Sequence, residues 1–218
     1  MANQTIFKRY EIKYMLDANQ LSMLKNEMKN YMIADEHGKS TICSLYFDTP
    51  QYLLIRRSMD HPMYKEKLRL RSYGVADKDT TVFVELKKKY DSVVYKRRVA
   101  MTEAYYAKDD HEFRVTFDQN ILWWDYDLNL CSGIYGNPIL KENQTLMEVK
   151  TAGAIPMWMV RFLRDNGIYK TSFSKYGTAY RTLYNASDNL LGIEAYGNRV
   201  NGYKEKTEKA DGGLINYA

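Results

Sequence analysis

Cysteine and histidine are scarce, with two and three copies in 218 residues. Cys43 and Cys131 stand alone, with neither metal-ligand spacing nor the density of a disulfide scaffold, which fits a reducing compartment. His37, His61 and His111 also lack ligand spacing and fall in polar or turn-like surroundings. Four prolines leave no obvious interdomain linker, and repeats and low-complexity tracts are missing. No apolar run approaches membrane-spanning length, and the opening residues Met1 to Glu11 lack the apolar core of a secretion signal. The expectation is a soluble cytoplasmic protein without a transmembrane segment, still able to meet a membrane-protein partner.

The chain is rich in tyrosine, 20 copies, and in charge, yet its formal net charge is only +5, so it is no general polycation. The basic residues concentrate between Arg56 and Arg98. In Tyr64 to Tyr73 a strand reading puts Lys67, Arg69 and Arg71 on one face and Leu68 and Leu70 on the other. Val82, Val84 and Leu86 alternate in the same way with Phe83, Glu85 and Lys87.

That rhythm recurs along the chain. Ile6 to Tyr14 reads as a strand with Arg9, Glu11 and Lys13 in phase, and Thr41 to Asp48 as a second strand ending in an Asp-Thr-Pro turn that can start a short helix. Asp17 is a plausible N-cap for a helix carrying Leu21, Leu24, Met28 and Met32, stopped by His37-Gly38. Val93 to Met101 is expected as a strand with Lys96 and Arg98 in phase, Thr102 to Tyr105 as a helix start, and Glu112 to Phe117 as a strand. Arg114, Thr116 and Asp118 share one side of that last strand. Thr145 to Thr151 sets Met147 and Val149 against Glu148 and Lys150, and Pro156 opens a helix to Leu163.

The class is therefore α+β, with helices on the apolar faces of an antiparallel sheet. The opposite faces carry Lys13, Lys67, Arg69, Arg71, Lys87, Lys96, Arg98, Arg114 and Lys150, with only Glu11, Glu85 and Glu148 among them. Like charges this dense repel across neighbouring strands. Closing the sheet into a barrel with helices outside would aim them at a shared lumen, where a polyanion relieves the repulsion. Arginine forks and lysine ammoniums suit phosphoryl oxygens, and the carboxylates suit a divalent ion that bridges phosphates. The aromatic residues fall mainly on the faces opposite the cations, which argues against a nucleic-acid module.

Seven segments in order, Arg9 to Lys13, Lys67 to Arg71, Val84 to Lys87, Lys96 to Arg98, Arg114 to Asp118, Met147 to Lys150 and Ser172 to Tyr176, resemble the VTC-type polyphosphate polymerase domain. That domain belongs to the triphosphate tunnel metalloenzyme, or CYTH-like, superfamily. The resemblance covers about Phe7 to Arg181 and implies a closed antiparallel tunnel over residues 1–187, with 188–218 as a tail or appendage. By position, Arg9, Lys13, Lys67, Arg69, Arg71, Lys87, Lys96, Arg98, Arg114 and Lys175 would hold phosphates. Glu148 would hold Mn²⁺ or Mg²⁺, helped by Glu11 and Glu85, and Lys13, Arg69, Arg71, Lys87 and Glu148 would form the catalytic set.

The wider superfamily's N-terminal signature has an extra acidic residue where this chain has Arg9, which favours the VTC-like branch. Some VTC-type domains carry a lysine three positions before the one matched by Lys175, and here that position is Ser172. The expected partners are ATP, pyrophosphate or polyphosphate. Three activities stay open: phosphoryl transfer from ATP to a growing polyphosphate, hydrolysis as a triphosphatase or short-chain polyphosphatase, and noncatalytic sensing of polyphosphate or inositol phosphates.

Overall fold

A computed structural model describes residues 10–36, 38–90, 93–96, 104–110, 112–190 and 215–217. It is an α+β fold of two antiparallel sheets and four helices. The first sheet has the order β12-β1-β11-β8-β7-β2, from β1 (Tyr10–Leu16), β2 (Met32–Ala34), β7 (Ala104–Ala107), β8 (Arg114–Asp118), β11 (Thr145–Thr151) and β12 (Lys170–Thr171). The second has the order β10-β9-β13-β3-β4-β5-β6, from β3 (Ile42–Phe47), β4 (Tyr64–Tyr73), β5 (Phe83–Tyr90), β6 (Val93–Lys96), β9 (Leu122–Trp124), β10 (Asn137–Pro138) and β13 (Ile215–Tyr217).

The expected closed barrel is not formed: among the described residues neither sheet closes on itself and no ladder joins one to the other. Repulsion between in-phase cations requires only that the charged faces turn away from bulk packing and find counter-charge. Two sheets facing each other do this as well as a cylinder, and among the described residues an ion pair joins them where no ladder does. Lys87 on β5 reaches Glu11 on β1 at 3.0 Å.

The apolar faces behave as alternation dictates. Tyr14 and Leu16 of β1, Val115 and Phe117 of β8, and Met147 and Val149 of β11 form one core with Leu24 and Met28 of α1 (Ala18–Met28) and Met159 and Leu163 of α3 (Met157–Asp165). Asp17 opens α1 through a capping box: its side chain accepts from the Gln20 backbone amide at 2.8 Å, and the Gln20 side chain accepts from the Asp17 backbone amide at 3.1 Å. The helix stops at Met28. Met32 reaches the same core from β2, so the apolar spacing was met by a strand where a longer helix was expected. Residues 104–107 also form a strand where a helix start was expected. There Tyr105 stands opposite Val115 and meets Phe117 edge-to-face at 5.8 Å.

A second core fills one end of the space between the sheets. Tyr46 of β3, Leu146 of β11 and Trp123 of β9 pack there with Ile55 of α2 (Leu53–Met59) and Tyr176, Ala179 and Tyr180 of α4 (Lys175–Leu190). Asp48 ties these parts together. It accepts from the amides of Thr49, Leu54 and Ile55 at 2.8–2.9 Å and from the Tyr176 hydroxyl at 2.9 Å. Burial and the facing Asp48 carboxylate push the Tyr176 hydroxyl far above its ordinary pKa, so it stays a donor.

Replacing Asp48 by Ala removes the acceptor for the first turn of α2 and strands a buried hydroxyl, so the loss should be about 2–4 kcal/mol. Urea unfolding measures it, and Tyr176→Phe should recover part of the loss in the double variant.

Candidate functional site

The facing sides of the two sheets carry the charged residues, and local backbone geometry explains how they meet. In the β1–β11 ladder Lys13 stands directly opposite Glu148, and Glu11 opposite Lys150. In the β4–β5 ladder Lys67 stands opposite Lys87 and Arg69 opposite Glu85. Lys150 is opposite Arg114 on β8. The two-residue period then keeps every one of these side chains on the inward face.

Glu11, Lys13, Glu148 and Lys150 form one chain of contacts. Lys13 Nζ lies 2.9 Å from Glu148 Oε1 and 3.6 Å from Glu11 Oε1. Lys150 Nζ lies 3.0 Å from Glu148 Oε2 and donates to Thr116 Oγ1 at 3.3 Å. Burial works against every charge here, but the lysines outweigh it. Lys87, followed by Lys13 and Lys150, brings Glu11 down to about 2, and Lys13 leads the cations that hold Glu148 well below the carboxylate range. Glu148 and Glu11 in turn raise Lys13 against the desolvation that would lower it.

A second cluster is built on Glu85, whose carboxylate is 1% exposed. Arg69 Nε donates to Glu85 Oε2 at 2.7 Å, and Arg69 Nη2 lies 2.6 Å from the same oxygen. Arg71 Nε is 3.8 Å from it and donates to Ser44 Oγ at 3.3 Å. Arg69 Nη1 donates to the Tyr46 hydroxyl at 2.7 Å, and the Tyr46 ring stacks on Tyr176 at 4.8 Å. Burial would raise the Tyr46 hydroxyl, but Arg69 and Arg71 bring its pKa below the ordinary value.

Lys175, at the start of α4, meets Asp118 Oδ2 at 2.7 Å. Lys67 donates to Ser174 Oγ at 2.7 Å. Among the described residues no carboxylate pairs with Lys67, and burial followed by repulsion from Lys87 and Lys13 lowers its pKa to about 7. Arg114 lies over the Tyr106 ring at 5.3 Å, and its buried Nε has no hydrogen-bond partner among the described residues. Lys96 stands opposite Lys87 on β6, while Arg9 and Arg98 lie outside the described residues.

The structure therefore brings together Glu11, Lys13, Lys87, Glu148 and Lys150, sets Arg69, Arg71 and Glu85 beside them as a second cluster, and adds Lys67, Arg114 and Lys175. Lys150 had been expected only as a face neighbour. Asp118, Ser174, Tyr46 and Ser44 were not expected as members. Asp118 shares the strand phase of Arg114, and Ser44 and Tyr46 alternate with Cys43, Leu45 and Phe47, so a signal was present for three of them. Ser174 had none beyond its place before Lys175.

The acids differ in what they could hold. Glu11 and Glu148 flank one ammonium and face each other electrostatically, a donor pair that fits a magnesium-like ion also taking phosphate oxygens and water. Glu85 is occupied by two guanidiniums and does not join them. Among the described residues no three His, Cys, Asp or Glu side chains gather as a metal site.

A family model described as VTC domain matches residues 8–108 and 103–184, which takes in every described strand but β13 and the described residues of the inward charged face. The chain belongs to the VTC domain family. VTC domains are associated with polyphosphate polymerases, and the function of this one is polyphosphate-related. No curated protein matches the chain. Among the described residues no helix of this VTC domain is long and apolar enough to cross a membrane.

Two outcomes follow from the charge arrangement. Glu85→Ala leaves two arginines facing each other in a buried site, and chemical denaturation should show a loss of about 3–5 kcal/mol. For Lys67 the sign runs through ligand binding. Its free form loses a proton above about pH 7, whereas a bound polyanion restores the ordinary lysine value, so binding takes up a proton as pH rises past 7. Calorimetry with pyrophosphate should show affinity falling up to about tenfold per pH unit above neutrality, and Lys67→Met should flatten that dependence.

Proposed function

We propose that this VTC domain transfers the γ-phosphoryl group of ATP to the end of a growing inorganic polyphosphate between its two sheets. The observation that supports this reading is a surplus of inward positive charge. Among the described residues Lys13, Lys67, Arg69, Arg71, Lys87, Arg114, Lys150 and Lys175 stand against Glu11, Glu85, Glu148 and Asp118. The surplus falls on Lys67 and Arg114, which no carboxylate serves among the described residues. A chain of phosphates is the ligand whose charge recurs along a line as these cations do.

The chemistry asks little of the protein beyond placement and charge. A terminal phosphate oxygen of the acceptor forms a bond to Pγ as the bond from Pγ to the β,γ-bridging oxygen breaks, and ADP leaves with that electron pair. No side-chain nucleophile is needed. Lys13, Lys87, Arg69 and Arg71 orient the phosphates and stabilise the charge spread over the transferring group. Glu148 with Glu11 would hold Mn²⁺ or Mg²⁺, which when bound supplies further charge neutralisation at the phosphates. Arg9, Lys96 and Arg98 extend the same basic track in the sequence, and cytoplasmic ATP would be the donor.

Purified protein incubated with ATP and Mn²⁺ or Mg²⁺ should yield ADP and a ladder of long polyphosphate on a gel, and Glu148→Ala should lower the yield at least tenfold. Orthophosphate release without polymer would instead identify a triphosphatase. Tight polyphosphate binding without turnover, indifferent to Glu148→Ala, would identify a sensor.

A further inference from the structure

The outward face of β4 and β5 plays no part in the charged site. On it Leu68 stands opposite Leu86 and Leu70 opposite Val84, with Val84 70% and Leu86 39% exposed. No described helix covers Leu68, Val84 or Leu86, since α1 and α3 pack on the first sheet and α2 and α4 fill the space between the sheets, while Leu70 is half-buried against a third core of Cys43, Leu45, Ala76 and Leu130. One step along the same face, Glu66 stands opposite Lys88. Those two make no ion pair with each other, and Glu66 accepts from the Tyr64 hydroxyl at 2.7 Å.

We propose that this face is an isologous interface with a second copy of the chain, with the twofold axis running along the line between β4 and β5. Such an axis lies in the plane of contact and exchanges the two strands, so each β4 lies over the β5 of its partner. The ladder register then fixes what meets what: Glu66 faces Lys88 in both directions, Leu68 packs on Leu86, and Val84 meets the part of Leu70 that Ala76 and Leu130 leave open. Each charge meets its opposite and each apolar residue an apolar one, which is the aligned face-to-face packing of two sheets. A patch carrying one acid and one base has no net charge to draw it to an anionic lipid surface. The self-complementarity is specific to a second copy.

Sedimentation equilibrium on the full chain tests this. The wild type should be a dimer, and Val84→Lys a monomer with an unchanged far-ultraviolet circular dichroism spectrum. Glu66→Lys and Lys88→Glu should each weaken self-association at least tenfold. Mixed one to one, these two variants should dimerise again, because each charge then meets its opposite across the axis, a recovery that misfolded variants would not give. A monomeric wild type would overturn the proposal. So would a dimer that Val84→Lys leaves intact, or a mixture that stays monomeric.

Discussion

Glu11 is the place where the two halves of the molecule are joined. Its carboxylate accepts from Lys87 of the second sheet at 3.0 and 3.2 Å and neighbours Lys13 of its own strand at 3.6 Å. Each sheet separately pairs part of its cations with its own acids, Lys13 and Lys150 with Glu148 in the first and Arg69 with Glu85 in the second, and leaves the rest of its row without a partner on that sheet. Facing each other, they share the carboxylate of Glu11, which stays ionised because Lys87 of one sheet and Lys13 of the other both neighbour it. The cores on the apolar faces then need no contact with the charged layer, which explains why polar and apolar packing are so cleanly separated. Where the separation fails, at Tyr46 and Tyr176, hydroxyls occupy the boundary and hydrogen bonds to Arg69 and Asp48 satisfy them.

A phosphate chain bound as proposed would meet cations in three conditions. Arg69 is fixed to Glu85 and Tyr46 and serves as much to hold β3, β4 and β5 together as to meet a ligand. Lys13, Lys87, Lys150 and Lys175 already have carboxylate partners and would exchange them, in whole or in part, for phosphate oxygens. Among the described residues Lys67 and Arg114 have no acid to give up. The energetic cost of binding therefore varies along the face, lowest where a cation has no acid and highest where a buried ion pair must open.

The inward phase of Lys67, Arg69, Arg71, Glu85 and Lys87 was legible in the sequence because a strand's two-residue period leaves no choice of side. So were Glu148 with Lys150 and the apolar residues behind them. The closure of the sheet was not legible: charge alternation tells which way a side chain points, whereas hydrogen bonding between edge strands depends on partners distant in sequence. The same limit explains Met32 and residues 104–107. Their apolar spacing suits either a helix or a strand, and the antiparallel pairing of β2 with β7 decided it. Asp118 was visible on the right face, but its partner Lys175 comes from α4, a contact that no strand pattern encodes.

The central strands of both sheets are assembled from opposite ends of the chain. β1 lies between β11 and β12, and β13 is inserted between β9 and β3. Neither sheet can be completed by neighbouring hairpins alone, so chain entropy must be spent before the charged layer exists at all. Folding should accordingly be slow for the size of the chain, and its basic strands remain solvated and mutually repelling until the distant carboxylates arrive. Anions present during folding would screen that repulsion, so a polyphosphate that binds as proposed would also act on the rate at which this face is built.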